Sequence, residues 1–151
     1  MRVIEQLLKD IALATTGVQY YGRGGRAYAN IESPAYPRIW VHMINPVDTL
    51  HQNGLITSTY DVVAEVSTTI DYTKDIGNAP EGIDEYMTKL EDMQTIYFEF
   101  ISRLQKDVRV TVPIGKVSRK EFYHDFDDNL VGYAFNFNVT VRETIVYPCL
   151  T

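Results

Sequence analysis

Residues 131–150 read VGYAFNFNVTVRETIVYPCL. From Val131 to Val141 every odd position is apolar (Val131, Tyr133, Phe135, Phe137, Val139, Val141), and every even position from Gly132 to Arg142 is small or polar. An alternation of period two marks a β-strand with one face buried and one face wet. The run is about twice the usual strand length of roughly 5–6 residues. Its wet face carries Asn136, Asn138 and Thr140, where a solvated face more often carries Lys or Glu. A strand this long, with so little charge on its outer face, calls for a functional reason.

A second long alternation runs from Leu55 to Ile70. Ile56, Tyr60, Val62, Ala64, Val66 and Ile70 share one face, and Thr57, Thr59, Asp61, Glu65, Ser67 and Thr69 share the other, with Val63 as the exception. Upstream, RIWVHMI (38–44) is apolar on both faces and reads as a strand covered on both sides. The connecting segment NPVDTLHQNG (45–54) has turn chemistry at Asn45-Pro46 and Asn53-Gly54, so it reads as a loop joining two antiparallel strands. At about 3.3 Å per residue the 55–70 strand spans roughly 50 Å. A compact chain of this size has a diameter of only about 40 Å. Such a strand either bulges to stay within the domain or projects beyond it.

Two helices complete the pattern. Val3–Thr16 places Ile4, Leu7, Leu8 and Ile11 on one stripe, pairs Glu5 with Lys9, and stops at Gly17. Ile83–Asp107 is the stronger of the two. Its stripe is Ile83, Tyr86, Met87, Leu90, Met93, Tyr97, Ile101 and Leu104, widened by Phe98 and Phe100. This stripe is expected to pack on the sheet face that carries Tyr133, Phe135 and Phe137. Residues 17–37 have no period and read as one long loop rich in Gly, Pro and Tyr. VRVTVPIGKVSRKEFYHDF (108–126) reads as one or two strands, with Pro113 at an edge or bulge, and DFDDN as a turn. The expected fold is a single α+β domain over 1–151: an antiparallel sheet with long β-hairpins packed against one long helix and one N-terminal helix.

Composition narrows the function. A net charge of −6 argues against broad nucleic-acid binding, which needs phosphate neutralisation. No apolar run approaches the roughly 18 residues that span a bilayer, so no membrane role is expected. The opening MRVIEQLLKD has acids where a signal peptide has an apolar core, and Asn138-Val139-Thr140 is therefore read as plain strand. The single cysteine, Cys149, excludes an internal disulfide framework.

No chemistry gathers along the chain. His42, His51 and His124 lack ligand spacing. HDFDDN (124–129) resembles half a calcium loop but lacks its glycine and distant glutamate. Gly22 to Ala27 fits the letters G-x-G-x-x-A without opening a helix. No catalytic residue, cofactor or metal is expected. The eleven tyrosines are more telling, because Tyr couples apolar area to a polar tip and is enriched at interfaces. The candidate interface residues are Tyr20, Tyr21, Arg23, Arg26 and Tyr28 in the first loop, Leu50 and His51 in the second, and Asn136 and Asn138 on the last strand.

The order of IEQLLKDIAL, PAYPRIWVHMI, LITSTYDVVAEVST, EYMTKLEDMQTIYFEFISRL and YAFNFNVTVRE resembles the tail-terminator and tail-completion proteins, small neck proteins of tailed bacteriophages. The likeness covers most of the chain as a pattern of elements, with Pro34 to Val41 as its most recognisable stretch. The Gly-Arg loop at 22–26 and the length of the second helix depart from it. The resemblance implies a tail-terminator-like fold and a virion protein assembled in the host cytoplasm. It implies a ring, a hexamer or dodecamer, that meets other neck, portal-side or tail-tube proteins around a lumen carrying DNA. The competing expectations are a ligand-binding α+β protein with its pocket between sheet and long helix, and a metal enzyme built on His124 and the Asp cluster.

Overall fold

The structure, a computed structural model, describes residues 3–25, 35–70, 80–125 and 130–143. It is an α+β fold, as expected. The elements follow in the order α1 (Val3–Ala14), β1 (Tyr20–Arg23), β2 (Arg38–Leu50), β3 (Ile56–Thr69), α2 (Pro80–Lys106), β4 (Val117–Asp125) and β5 (Leu130–Glu143). The strands form one five-stranded sheet in the order β1-β2-β3-β5-β4. β1 pairs with β2 in parallel, and the other neighbours are antiparallel.

The two long alternations are paired with each other. β3 runs against β5 from Ile56↔Glu143 to Thr69↔Leu130 without a register shift. In that register Tyr60, Val62, Ala64 and Val66 share a face with Tyr133, Phe135, Phe137 and Val139. α2 packs on this face. The Phe100 ring meets Phe135 and Phe137 edge-on at 5.9 and 6.5 Å, and Tyr97 meets Phe135 at 5.0 Å, the spacing at which aromatic pairs add to area burial. α1 covers the same core with Ile4, Leu7, Leu8 and Ile11, and Gly17 ends it with φ of 90°. Its Glu5 carboxylate is taken by Arg23 at 3.2 Å rather than by Lys9.

Several expectations need correction. The segment 17–37 is not one loop, since Tyr20–Arg23 forms β1 against Arg38–Val41. The segment 45–54 is not a loop either, because β2 continues through Pro46 to Leu50 and only the tip at 51–55 turns. Pro46 is tolerated because β1 ends opposite Val41, which leaves the far half of β2 as an edge needing no amide there. Of the one or two strands expected over 108–126, the described residues 108–125 hold one, β4, with a lone bridge, Val110↔Val141. On α2, Phe98 and Met87 are about half exposed, while Ile96, absent from the expected stripe, is buried. Phe98 faces Arg119, whose guanidinium lies 4.8–5.2 Å from the rings of Tyr97, Phe98 and Tyr133 and ties edge strand β4 to α2.

Phe100 and Phe98 give a clean test of which side of α2 is core. Phe100→Ala should cost about 3–5 kcal/mol in chemical denaturation. Phe98→Ala should cost about 1 kcal/mol or less, the scale of an exposed cation–π contact. Equal effects would place the helix in a different rotation.

Candidate interaction surface

The helices cover one face of the sheet. Its other face is where Arg38, Trp40 and His42 of β2, the odd residues of β3 and the even residues of β5 project. A bulge divides β2 on this face. Val41 pairs with Ala64 and Met43 with Val63, so His42 is an extra residue without a partner across the ladder. Before the bulge β2 is buried. Beyond it, Met43, Val47 and Leu50 are 47%, 67% and 76% exposed. The bulge or projection expected of the 55–70 strand falls elsewhere: β3 keeps its register with β5 throughout, and it is its partner β2 that bulges and then carries an exposed half.

A polar network sits before the bulge. Arg38 is fully buried and Glu65 is 3% exposed. The Arg38 guanidinium donates to Glu65 Oε1 at 2.8 Å and to Ser67 Oγ at 3.3 Å, and Ser67 donates to the same carboxylate oxygen at 3.2 Å. His42 Nε2 donates to Glu65 Oε2 at 3.1 Å. Burial pushes the Glu65 carboxyl up, but the His42 bond and the Arg38 charge outweigh it and hold the group below its ordinary value. Tyr36 and Trp40 cover the guanidinium at 5.3 and 5.2 Å. Trp40 in turn lies over Gly22 so closely that a Cβ there would come within 1.9 Å of its ring, and its indole donates to Gly24 O at 2.9 Å. Glycine at 22 therefore serves packing and not phosphate binding.

Next to this network the open face has a hollow of about 410 Å³ lined by Gly25, His42, Met43, Val63, Glu65, Phe122 and Ala134. Val63, the residue that broke the alternation of β3, is paired with Met43 and forms its apolar floor. A second hollow adjoins it through Val63 and Ala134 and reaches Ser118, Lys120 and Asn136.

The expected interface residues fall into distinct places. Tyr20 is half-buried and stacks on Trp40. Tyr21 is half-buried on the α1 side, and burial together with the Glu5 charge pushes its phenol up to about 12. Arg23 is exposed and bound to Glu5. Arg26 and Tyr28 lie outside the described residues. Leu50 and His51 are exposed at the hairpin tip, where His51 Nε2 meets Thr57 Oγ1 at 3.0 Å. Asn136 and Asn138 are exposed on the open face of β5. The structure groups Leu50 with His51 and Asn136 with Asn138, but it keeps Tyr21 and Arg23 on the helix side. Sequence reading missed Met43, Val47 and the Arg38–Glu65 pair, although the two-sided apolarity of 38–44 and the misfit of Val63 were signals.

Among the described residues no group of three His, Cys, Asp or Glu side chains comes together to hold a metal. Of the acidic segment 124–129, His124 and Asp125 end β4, while 126–129 lie outside the described residues, as does Cys149. No described helix is long and apolar enough to cross a membrane. The chain matches no family model and no curated protein.

Glu65→Ala should destabilise the fold by about 3–5 kcal/mol, because it leaves the Arg38 charge buried and unpaired. The Glu65 carboxyl is lowered in the fold, so its contribution is fully present above its unfolded value near 4.5. That contribution is lost as pH falls through the lower folded value. Parent and Glu65→Gln melts compared between pH 7 and pH 3 should therefore converge at the acid end.

Proposed function

We propose that this protein is a structural, non-catalytic subunit that assembles with copies of itself into a ring, acting as a tail terminator or neck connector at the head–tail junction of a tailed phage. The observation that carries the self-assembly is the arm of β2 beyond the bulge. It exposes Met43, Val47 and Leu50, with Leu55 across the tip also 42% exposed. Scattered apolar residues on a surface are ordinary, but these four fall along one hairpin, Met43 and Val47 on its open face and Leu50 on the other, so the arm offers apolar area on both sides. The open sheet face beside it supports the same reading, since its exposed residues Asn136 and Asn138 are neutral and can hydrogen-bond to a neighbour.

The phage assignment rests on the resemblance in element order, and the α+β sheet with one short and one long helix agrees with it. On this reading the ring is a hexamer or dodecamer, its partners are other neck, portal-side or tail-tube proteins, and DNA passes through its lumen. The rival reading, a ligand pocket between sheet and long helix, has less support. The rings of Tyr97, Phe100, Phe135 and Phe137 fill that space, and the two hollows that meet at Val63 and Ala134 open on the opposite face.

Mass measured under native conditions should give a symmetric oligomer. Burying a leucine side chain is worth about 1.5–3 kcal/mol, so Leu50→Asp should weaken each contact by roughly 10- to 100-fold. Its circular dichroism should remain that of the parent. A parent that stays monomeric at every concentration would defeat the proposal.

A further inference from the structure

We propose that the open-face hollow binds a small neutral aromatic molecule carrying a hydrogen-bond donor, a phenol being the simplest, with His42 Nδ1 as the acceptor. One chain holds the whole site, so this stands apart from the self-assembly proposed above.

The hollow has the make-up of a ligand site. Its volume of about 410 Å³ falls within the roughly 300–1,000 Å³ of small-molecule pockets. Such pockets are mostly apolar, with a few polar groups that fix orientation. Here Met43, Val63, Phe122 and Ala134 supply the apolar lining, and His42 and Glu65 supply the polar groups. Phe122 offers a ring and Met43 a thioether, and both favour an aromatic guest over an aliphatic one.

The hydrogen bonds already made decide which polar group the guest must bring. A neutral imidazole has one donor and one acceptor nitrogen. His42 Nε2 faces Glu65 Oε2 at 3.1 Å. A carboxylate only accepts, so Nε2 carries the proton and Nδ1 the lone pair. Among the described residues Nδ1 has no hydrogen-bond partner, yet it is not sealed from solvent. Glu65 Oε1 is taken by Arg38 and Ser67 and Oε2 by His42, which leaves a single lone pair on Oε2. The spare capacity of both side chains is acceptor only. It suits a donor, and it gives a carbonyl or carboxylate nothing to bind.

Charge and rigidity agree. The buried Arg38 guanidinium neutralises Glu65, so with a neutral imidazole the site offers no net charge to hold an ion. Arg119 and Lys120 line the adjoining hollow instead. The acceptor is also oriented in advance. The bulge sets His42 outside the ladder, and Glu65, itself held by Arg38 and Ser67, fixes its ring. A preset group costs little ordering on binding. The buried Arg38–Glu65–His42 network then has a role, which is to hold the acceptor of this site in place.

NMR titration in mildly alkaline buffer tests this with three probes: naphthol, its methyl ether, which lacks the donor, and naphthoate, which brings a charge and only acceptors. Naphthol should shift the methyl signals of Met43, Val63 and Ala134 saturably and move the nitrogen signal of His42 Nδ1. A net hydrogen bond is worth about 2- to 10-fold in affinity, so the ether should bind more weakly by that factor and naphthoate more weakly still. Ala134→Leu, which fills the hollow, should abolish the shifts while its circular dichroism stays that of the parent. Hollow methyls that naphthol leaves unmoved would overturn the proposal. Equal affinity for naphthol and its ether would do the same, as would binding that survives Ala134→Leu. The probe comparison needs only the parent chain, so it decides the matter whether or not the variant folds.

Discussion

The pairing of β3 with β5 is the constraint on which the rest of the molecule depends. All 14 residues of β3 have a partner on β5. Side chains alternate between faces, so a slip of one residue would send the whole apolar set of both strands to the wrong side. With the register held, Tyr60, Val62, Ala64 and Val66 meet Phe135, Phe137 and Val139 beneath the two helices. The other face is then free to carry Glu65, Asn136 and Asn138. The division of the sheet into a core side and an open side is therefore fixed by one ladder.

The bulge at His42 divides the molecule a second time, along the strand instead of across the sheet. Before it, β2 has a neighbour on each side, and its outward residues Arg38 and Trp40 are buried. After it, one neighbour is lost and the strand becomes an exposed edge. The Arg38–Glu65 pair stands next to that boundary. A buried ion pair is weak evidence for stability in itself, since hydrophobic replacements often do as well. Its geometric consequence is clearer: it ties Arg38 and His42 of β2 to Glu65 of β3 on either side of the point where β2 changes character.

Much of this was legible in the sequence. The strict alternations at 55–70 and 131–141 gave the two central strands and their faces, and the 3–4 spacing of Leu90, Met93, Tyr97 and Leu104 gave the buried side of α2. The rest was hidden for physical reasons. β1 has four residues and pairs in parallel with a strand that follows it, and neither property leaves a periodic trace. Pro46 read as a loop breaker because a sequence does not reveal that the strand has become an edge. Phe98 and Met87 looked like core by type, but on α2 both stay about half exposed, Phe98 under the Arg119 guanidinium of β4. Of the interface candidates, Leu50, His51, Asn136 and Asn138 came to lie on exposed surface, whereas Tyr20 and Tyr21 were drawn partly inward by Trp40 and α1.

The central claim is that the hairpin beyond the bulge is surface in the single chain and interior in the assembly. Amide hydrogen exchange of residues 43–58, followed from dilute to assembling concentration, tests it most directly, with the β3–β5 ladder as an internal reference. Exchange in the arm should be fast when dilute and slow strongly on assembly, while Tyr60–Val66 stays protected throughout. Identical exchange of the arm in both states, in a sample whose mass shows that assembly has occurred, would contradict the account.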